Sequence, residues 1–503
     1  MATKESSSKK QILKSSAIVG GASFITILIG LVKVKVLAVL LGPTGIGLMG
    51  ILTTIMGTGA TFFGMGLGTS GVRELALNNE STEKLGLVRK ALFSANVILG
   101  LLATLTIFLF KERLSEWFFQ SPDYQYAISI IAVGVFFSLI SGSQTALLQG
   151  LRKITDLAKV KVIGAFTATF IGLLFIWILG ESGVPFFVIS VPLVTCLIAF
   201  YFCLKLPKTT SSSIAIKQLS IQWRSMFTLG FAFMLTGLMG TGSQLIVRSI
   251  LNQKLNIESV GYFQAAWQIS MTYITFVLGA MAADYYPRLT QSIHNKSEAN
   301  RLVNEQTEIA IILAAPVLLA MLAFAPLVIK LLYSSEFTLS IEILQWQILG
   351  DVLKVISWPL GFIILAKGYS KLFFFTELLW NATYILIVYL GLDLFGIAIT
   401  GYAFAVSYLI YLFIVYAIVF INNNFQWKKN NTFLVITLTI SAAILLSISY
   451  FNVKVTMMLG FILFLGFVIY AIRMLSELGI KSSKLEKFSN KYKDFRRLIN
   501  FTS

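Results

Sequence analysis

Apolar runs of roughly twenty residues recur along the chain, parted by short polar turns. They occupy 15–41, 44–70, 87–110, 124–149, 158–180, 184–206, 225–251, 259–283, 307–333, 340–366, 372–391, 396–421, 432–450 and 455–473. A helix rising about 1.5 Å per residue crosses some 30 Å of hydrocarbon in a run of this length. The pattern predicts an all-α polytopic membrane protein of about fourteen spans. The first run is too long for a cleavable signal peptide and has no small-residue cleavage site.

The first and seventh of these runs carry basic charge at matching places. Lys33 and Lys35 lie inside the first, which breaks at Gly42-Pro43 before the second begins. A charge at membrane depth costs at least about 2.5 kcal/mol, so each needs a reason. The arrangement returns about 215 residues later, where Arg248 stands late in the seventh run. The same shift takes Arg73 to Arg288, and Gly45-Ile46-Gly47-Leu48 to within one residue of Val260-Gly261-Tyr262. Further on, Gly150-Leu151-Arg152-Lys153 resembles Gly368-Tyr369-Ser370-Lys371 at a slightly larger shift. These landmarks predict two pseudo-symmetric six-helix bundles followed by two extra C-terminal helices. The expected division is a cytoplasmic tail at 1–14, disordered or lying on the membrane surface, a lobe at 15–206, a linker at 207–224, a second lobe at 225–421, extra helices at 432–473, and a basic cytoplasmic tail at 474–503. Like-oriented repeats of this kind place a substrate site between halves that rock against each other.

Composition agrees: 57% of residues are hydrophobic, only 12% are charged, and mean hydropathy is +0.83. The net charge of +18 raises the question of nucleic acid, and its distribution answers it. Of the 40 Lys and Arg, only Lys111, Arg113, Lys254, Lys330 and Lys454 fall on the outer side when the N-terminus is cytoplasmic. Lys33, Lys35, Arg248 and Lys354 fall within spans, and the others lie inside. That is positive-inside topology with both termini cytoplasmic, and no nucleic-acid partner is expected. The tail residues Lys481, Lys484, Lys487, Lys491, Lys493, Arg496 and Arg497 read as topology signals or as a basic helix near anionic lipid. Cys196 and Cys203 share one span, so neither a disulfide nor a metal site is expected. The G-x-G-x-x-G at Gly66, Gly68 and Gly71 lacks the βαβ context of a dinucleotide site and reads as a closely packed, bendable helix. His294, in an internal loop, reads as solvated.

Basic groups facing a cavity suit a phosphate or diphosphate, arginine by its bidentate fork and lysine as a point charge. Lys33 and Arg248 are the first candidates, with snorkelling toward headgroups as the alternative. Lys35 lies about 200° around the helix from Lys33, so it suits a neighbouring helix better. Arg73 and Arg288 sit at inner helix ends and complete the set of basic candidates, with positive-inside topology as the alternative reason for their placement. The acids Asp351, Glu377 and Asp284 are candidates for coupling to H⁺ or Na⁺, no other cofactor being expected. Asp351 and Lys354, three apart on one helix face, could instead neutralise each other.

The stretch KVKVLAVLLGPTGIGLMG from Lys33 to Gly50, the following GLGTSGVREL and the LLQGLRK around Arg152 resemble Wzx-type O-antigen translocases. That group belongs to the multidrug/oligosaccharidyl-lipid/polysaccharide exporter superfamily. The resemblance covers the first five spans best and, through the repeat, extends to about residue 421. It implies a flippase of the bacterial inner membrane that carries an undecaprenyl-diphosphate-linked oligosaccharide, an O-antigen or common-antigen-type repeat unit, to the outer leaflet. It also implies alternating access, contact with membrane lipids, and a glycan polymerase or assembly proteins as partners. Lys33, Arg73, Arg248 and Arg288 fit the basic cavity positions of such proteins. Competing readings are a lipid II flippase and a cation-coupled multidrug exporter of the same fold. The exporter would need an acid in the first or seventh span, and neither has one. A glycan polymerase or ligase, the enzyme alternative, would need a long catalytic external loop, and the external loops are short.

Overall fold

The computed structural model describes residues 2–78, 81–207 and 216–477, and these form sixteen α-helices joined by short turns. The basic tail from residue 478 and part of the inter-lobe linker lie outside the described residues. The chain divides into two compact units: residues 1–265 with 330–337, and 266–329 with 338–503.

The first unit contains α1 (Ala2–Gly64), α2 (Leu67–Leu77), α3 (Thr82–Leu109), α4 (Lys111–Phe119), α5 (Gln125–Gly150), α6 (Ile154–Leu179), α7 (Val184–Leu204), α8 (Ile216–Lys254) and the start of α9 (Ile257–Ser292). Residues 2–14, expected as a disordered or surface-lying tail, continue α1 instead. Gly42, at φ 60° and ψ −168°, breaks α1 where the Gly42-Pro43 signal predicted a turn. Pro43 has no N–H to donate, and that extended ψ at positive φ is open chiefly to glycine. The glycine-rich segment both bends and packs tightly. Met65 and Gly66 are left-handed between α1 and α2, and a Cβ on Gly66 would lie 2.1 Å from the Gly230 carbonyl oxygen of α8.

The second unit holds the remainder of α9, α10 (Lys296–Ala323), most of α11 (Ala325–Leu332), α12 (Leu339–Ala366), α13 (Ser370–Phe395), α14 (Ile399–Asn423), α15 (Lys429–Ser449) and α16 (Val453–Glu477). The two extra helices are packed parts of this unit, with α15 and α16 against α10, and α15 also against α12. Asn304 ties the start of α15. Its carboxamide donates to the Gln426 carbonyl at 3.1 Å and accepts from the Lys428 N–H at 2.8 Å and the Asn431 amide at 2.9 Å.

The internal repeat is written in the backbone of each unit. Helices α4 and α11 start at Phe110 and Phe324, which share nearly the same dihedrals, 214 residues apart. The turns into α6 and α13 both place a left-handed residue, Arg152 and Gly368, before caps at Lys153 (φ −78°, ψ 58°) and Tyr369 (φ −78°, ψ 56°). Those helices end on Gly180 and Gly396, both at positive φ, followed by a short 3₁₀ turn. The shift through this region is 216, so Arg152 corresponds to Gly368 and Lys153 to Tyr369. The sequence comparison had paired them two residues off. The reason is chemical: the first repeat puts an arginine where the second uses the glycine that a left-handed turn favours.

Ten described helical segments are long and apolar enough to cross a membrane, or eleven counting the bent pair in α9, against about fourteen apolar runs in the sequence. Three of the ten run for 45, 51 and 54 residues, beyond what one crossing needs, and contain the breaks at Gly42, Gly180–Gly183 and Gly396–Ala398. Large apolar side chains such as Leu101, Leu109, Trp177 and Leu390 are exposed on the helix surfaces, as a lipid-facing perimeter requires.

Candidate functional site

Within the first unit, the polar features gather on the helical hairpin α8–α9 and on α1. Arg248 is buried at 4% exposure. Its Nε and Nη2 donate to the Gln264 side-chain oxygen at 3.2 and 2.6 Å, and its Nη1 donates to the Gln244 side-chain oxygen at 2.9 Å. The guanidinium also lies 5.4 Å from the Phe263 ring centre. The hairpin explains the geometry. Gln244 is one turn before Arg248 on α8, whereas Gln264 stands as far beyond the Asn256 turn as Arg248 stands before it. Two amide oxygens thus fix the plane of a cationic fork.

Lys33 and Lys35 meet different neighbours, as their angular separation requires. The Lys33 ammonium stands 5.9 Å from the Phe187 ring centre on α7. Lys35 donates to the Tyr333 carbonyl at 2.5 Å and the Lys330 carbonyl at 3.2 Å, satisfying backbone oxygens at the end of a helix. Its ammonium therefore has a structural task. Arg73 is exposed beside Glu74, at 3.2 Å.

The tips of the two hairpins meet in the same unit. A Cβ on Gly47 would fall 2.0 Å from the Ile257 carbonyl oxygen, and one on Gly261 would fall 1.9 Å from the Pro43 carbonyl oxygen. These are the glycines that the repeat aligns within one residue. Each lies against the other's hairpin, as related surfaces do around a two-fold axis.

In the second unit, Asp351 is fully buried on α12 and accepts a 2.5 Å hydrogen bond from Ser270. Lys354, one turn on, makes no ion pair with it within 4 Å among the described residues, although the two charges still act on each other. The Lys354 ammonium instead lies 3.7 Å from the Met271 sulfur and 5.5 Å from the Tyr408 ring centre. Glu377 accepts from the Tyr411 hydroxyl at 2.9 Å. Lys354 and Glu377 line one cleft of about 350 Å³, walled by Trp358, Phe362, Trp380 and Tyr408. Asp284 and Arg288, proposed for different tasks, pair with each other at 3.2 Å on an exposed surface.

No sequence signal pointed directly to Gln244, Gln264, Ser270 or the aromatic wall as partners of these charges. Only the Gln244–Arg248 spacing of four could have been read in advance.

Repeated helical bundles with ionisable groups set inside their helices define a polytopic membrane transporter. A family described as "Polysaccharide biosynthesis protein" matches residues 36–342, and the chain belongs to that family. It is 23% identical over 376 residues to the "Lipid III flippase" of Escherichia coli (strain K12), covering 73% of this chain and 88% of that one. It is 19% identical over 363 residues to a "Putative O-antigen transporter" of Shigella flexneri, covering 71% of this chain and 85% of the relative. Among solved structures, the lipid II flippase MurJ in an inward closed conformation superposes with a TM-score of 0.69 at 15% identity, over 92% of this chain and all of that one. An inward-facing multidrug resistance transporter of the MATE family gives 0.67 at 16% identity, over 82% and 95%. The fold is therefore MATE-like, as the resemblance to the exporter superfamily implied.

Proposed function

We propose that the protein flips an undecaprenyl-diphosphate-linked oligosaccharide, of the O-antigen or common-antigen type, from the cytoplasmic to the outer leaflet of a bacterial inner membrane. The observation that carries this reading is Arg248, a buried guanidinium whose fork is oriented by Gln244 and Gln264 within a membrane-spanning helix. Such a fork suits a diphosphate, and flippase and O-antigen transporter relatives over most of the chain support that cargo. Lys33 supplies a second positive charge, with Arg73 and Arg288 toward the helix ends. Lys35 takes no part, being held by carbonyls. Alternating access proceeds with both termini cytoplasmic and with fourteen spans, each long segment crossing twice about its break. Of the acids, Asp351 and Glu377 are better placed than the exposed Asp284 to couple H⁺ or Na⁺. A polymerase or assembly protein would take up the product.

The test is mass spectrometry of lipid-linked oligosaccharides in cells depleted of the protein and complemented with variants. Arg248→Met should accumulate the undecaprenyl-diphosphate glycan, with export reduced about tenfold or more, the scale of one lost charge-assisted interaction. Wild-type export by a correctly inserted Arg248→Met would overturn the assignment of Arg248. No accumulation on depletion, with new sensitivity to cationic drugs, would overturn the cargo.

A further inference from the structure

The first unit holds a second cleft, of about 330 Å³, between α3, α5 and α7. Its lining is largely apolar, with Phe93, Leu147 and Phe200 among the walls, and Arg89 and Lys90 stand on one side. Phe93 and Phe200 are each nearly half exposed, beside exposed Leu197, Tyr201 and Leu204, so the cleft lies on the apolar perimeter of the unit.

Its polar groups are specific. Arg89 donates one of its five N–H groups to the Cys203 carbonyl at 3.3 Å, which holds the guanidinium at the last turn of α7. Lys205, the residue that ends α7, adds a third cation packed on the Tyr201 ring at 4.1 Å. Among the described residues, no carboxylate lines the cleft. Gln144 is only 5% exposed and lines it too, and its side-chain oxygen is buried with no hydrogen-bond partner in the structure. A buried amide oxygen of this kind costs about 1–3 kcal/mol unless a donor reaches it.

We propose that this cleft binds an anionic phospholipid, with Arg89 and Lys90 on the phosphate, an acyl chain along Phe93, Leu147 and Phe200, and Gln144 accepting from a headgroup hydroxyl. Cations beside an apolar slot on the perimeter match a phosphate joined to a hydrocarbon tail. The free amide oxygen adds a demand for a donor, which the glycerol of phosphatidylglycerol meets and the trimethylammonium of phosphatidylcholine does not. The site is separate from Arg248 and Lys33, and it stands whatever cargo the protein moves.

Native mass spectrometry of the full-length protein in neutral detergent tests it, with phosphatidylglycerol and phosphatidylcholine offered at equal concentration. Wild-type protein should retain phosphatidylglycerol preferentially, by about tenfold. Lys90→Glu should abolish that preference, and Lys90 is exposed, so folding should be intact. Arg89→Gln should do the same but also loses the contact to Cys203, so its melting temperature is measured alongside. Lys371→Glu, an exposed basic residue in the second unit, should leave the preference unchanged. Equal retention of the two lipids by the wild type, or an undiminished preference in folded Lys90→Glu, would overturn the proposal. So would retention of undecaprenyl diphosphate alone at these residues, which would make the cleft part of the cargo route. None of these outcomes bears on the Arg248 export test.

Discussion

Gly261→Ala is the smallest change that should pry the two hairpin tips apart. Its Cβ would sit 1.9 Å from the Pro43 carbonyl oxygen, and side-chain carbons essentially never approach another atom within 3.0 Å. The obstacle is backbone, so no flexible side chain can swing away, and one hairpin must withdraw by about 1.1 Å. Overpacking of this kind costs about 1–3 kcal/mol. That lowers the population with the tips in contact by roughly 5- to 150-fold. Ile46, next to Gly47 in the first hairpin, is 1% exposed, so Ile46→Cys provides the readout through its rate of modification by a soluble maleimide. The native thiols, Cys196 and Cys203, are buried and supply a low background. Labelling should be at least about fivefold faster with Gly261→Ala, and Gly47→Ala should act alike because it jams the reciprocal contact. The two together should be less than additive, since one separation relieves both. Gly142→Ala, whose Cβ would meet nothing within 4 Å, is the silent control. An unchanged labelling rate in a correctly inserted Gly261→Ala protein would refute the reasoning that this approach is tight.

Two further changes probe the scaffold. Arg152→Gly relieves a left-handed arginine at φ 55° and should raise stability by up to about 1 kcal/mol, read as a higher melting temperature in detergent. Asn304→Ala strips the Lys428 N–H of its acceptor and the Gln426 carbonyl of its donor, and should destabilise the second unit by about 2–4 kcal/mol. Faster tryptic cleavage at Lys428, just before α15, or at Lys429, its first residue, would register it before global melting.

Helices were legible in the sequence because hydrocarbon admits few alternatives: a backbone without water must bond to itself, and its side chains must be apolar. Gly42-Pro43 was legible as a break for the same local reason. The breaks at Gly180 and Gly396 were legible as the gaps between the runs 158–180 and 184–206 and between 372–391 and 396–421, whereas their positive φ was not. The repeat was visible at Lys33 and Arg248 but slipped by two at Arg152, where side-chain identity and backbone conformation part company. Charges inside spans could be found by composition, whereas their partners could not. Asp351 and Lys354 sit at the right spacing to pair, yet Ser270 and Met271 from α9 engage them separately.

The aligned repeats also differ in where they tolerate charge. Shifted back by 216, Asp351 and Lys354 fall on Val135 and Ser138 of α5, and Val135 is fully buried among apolar neighbours. The turns that begin and end the helices agree within a few degrees, so a common backbone carries an apolar interior in one unit and an ionisable one in the other. An ionised group inside a span is costly, and burying one adds nothing that valine would not supply more cheaply to stability alone. Asp351, Lys354 and Glu377 are therefore features the second unit does not need in order to fold. The first unit confines its buried cation to the α8–α9 hairpin, where two glutamines orient it. That difference agrees with the proposed function, in which Arg248 of the first unit would hold the diphosphate and Asp351 and Glu377 of the second would couple H⁺ or Na⁺.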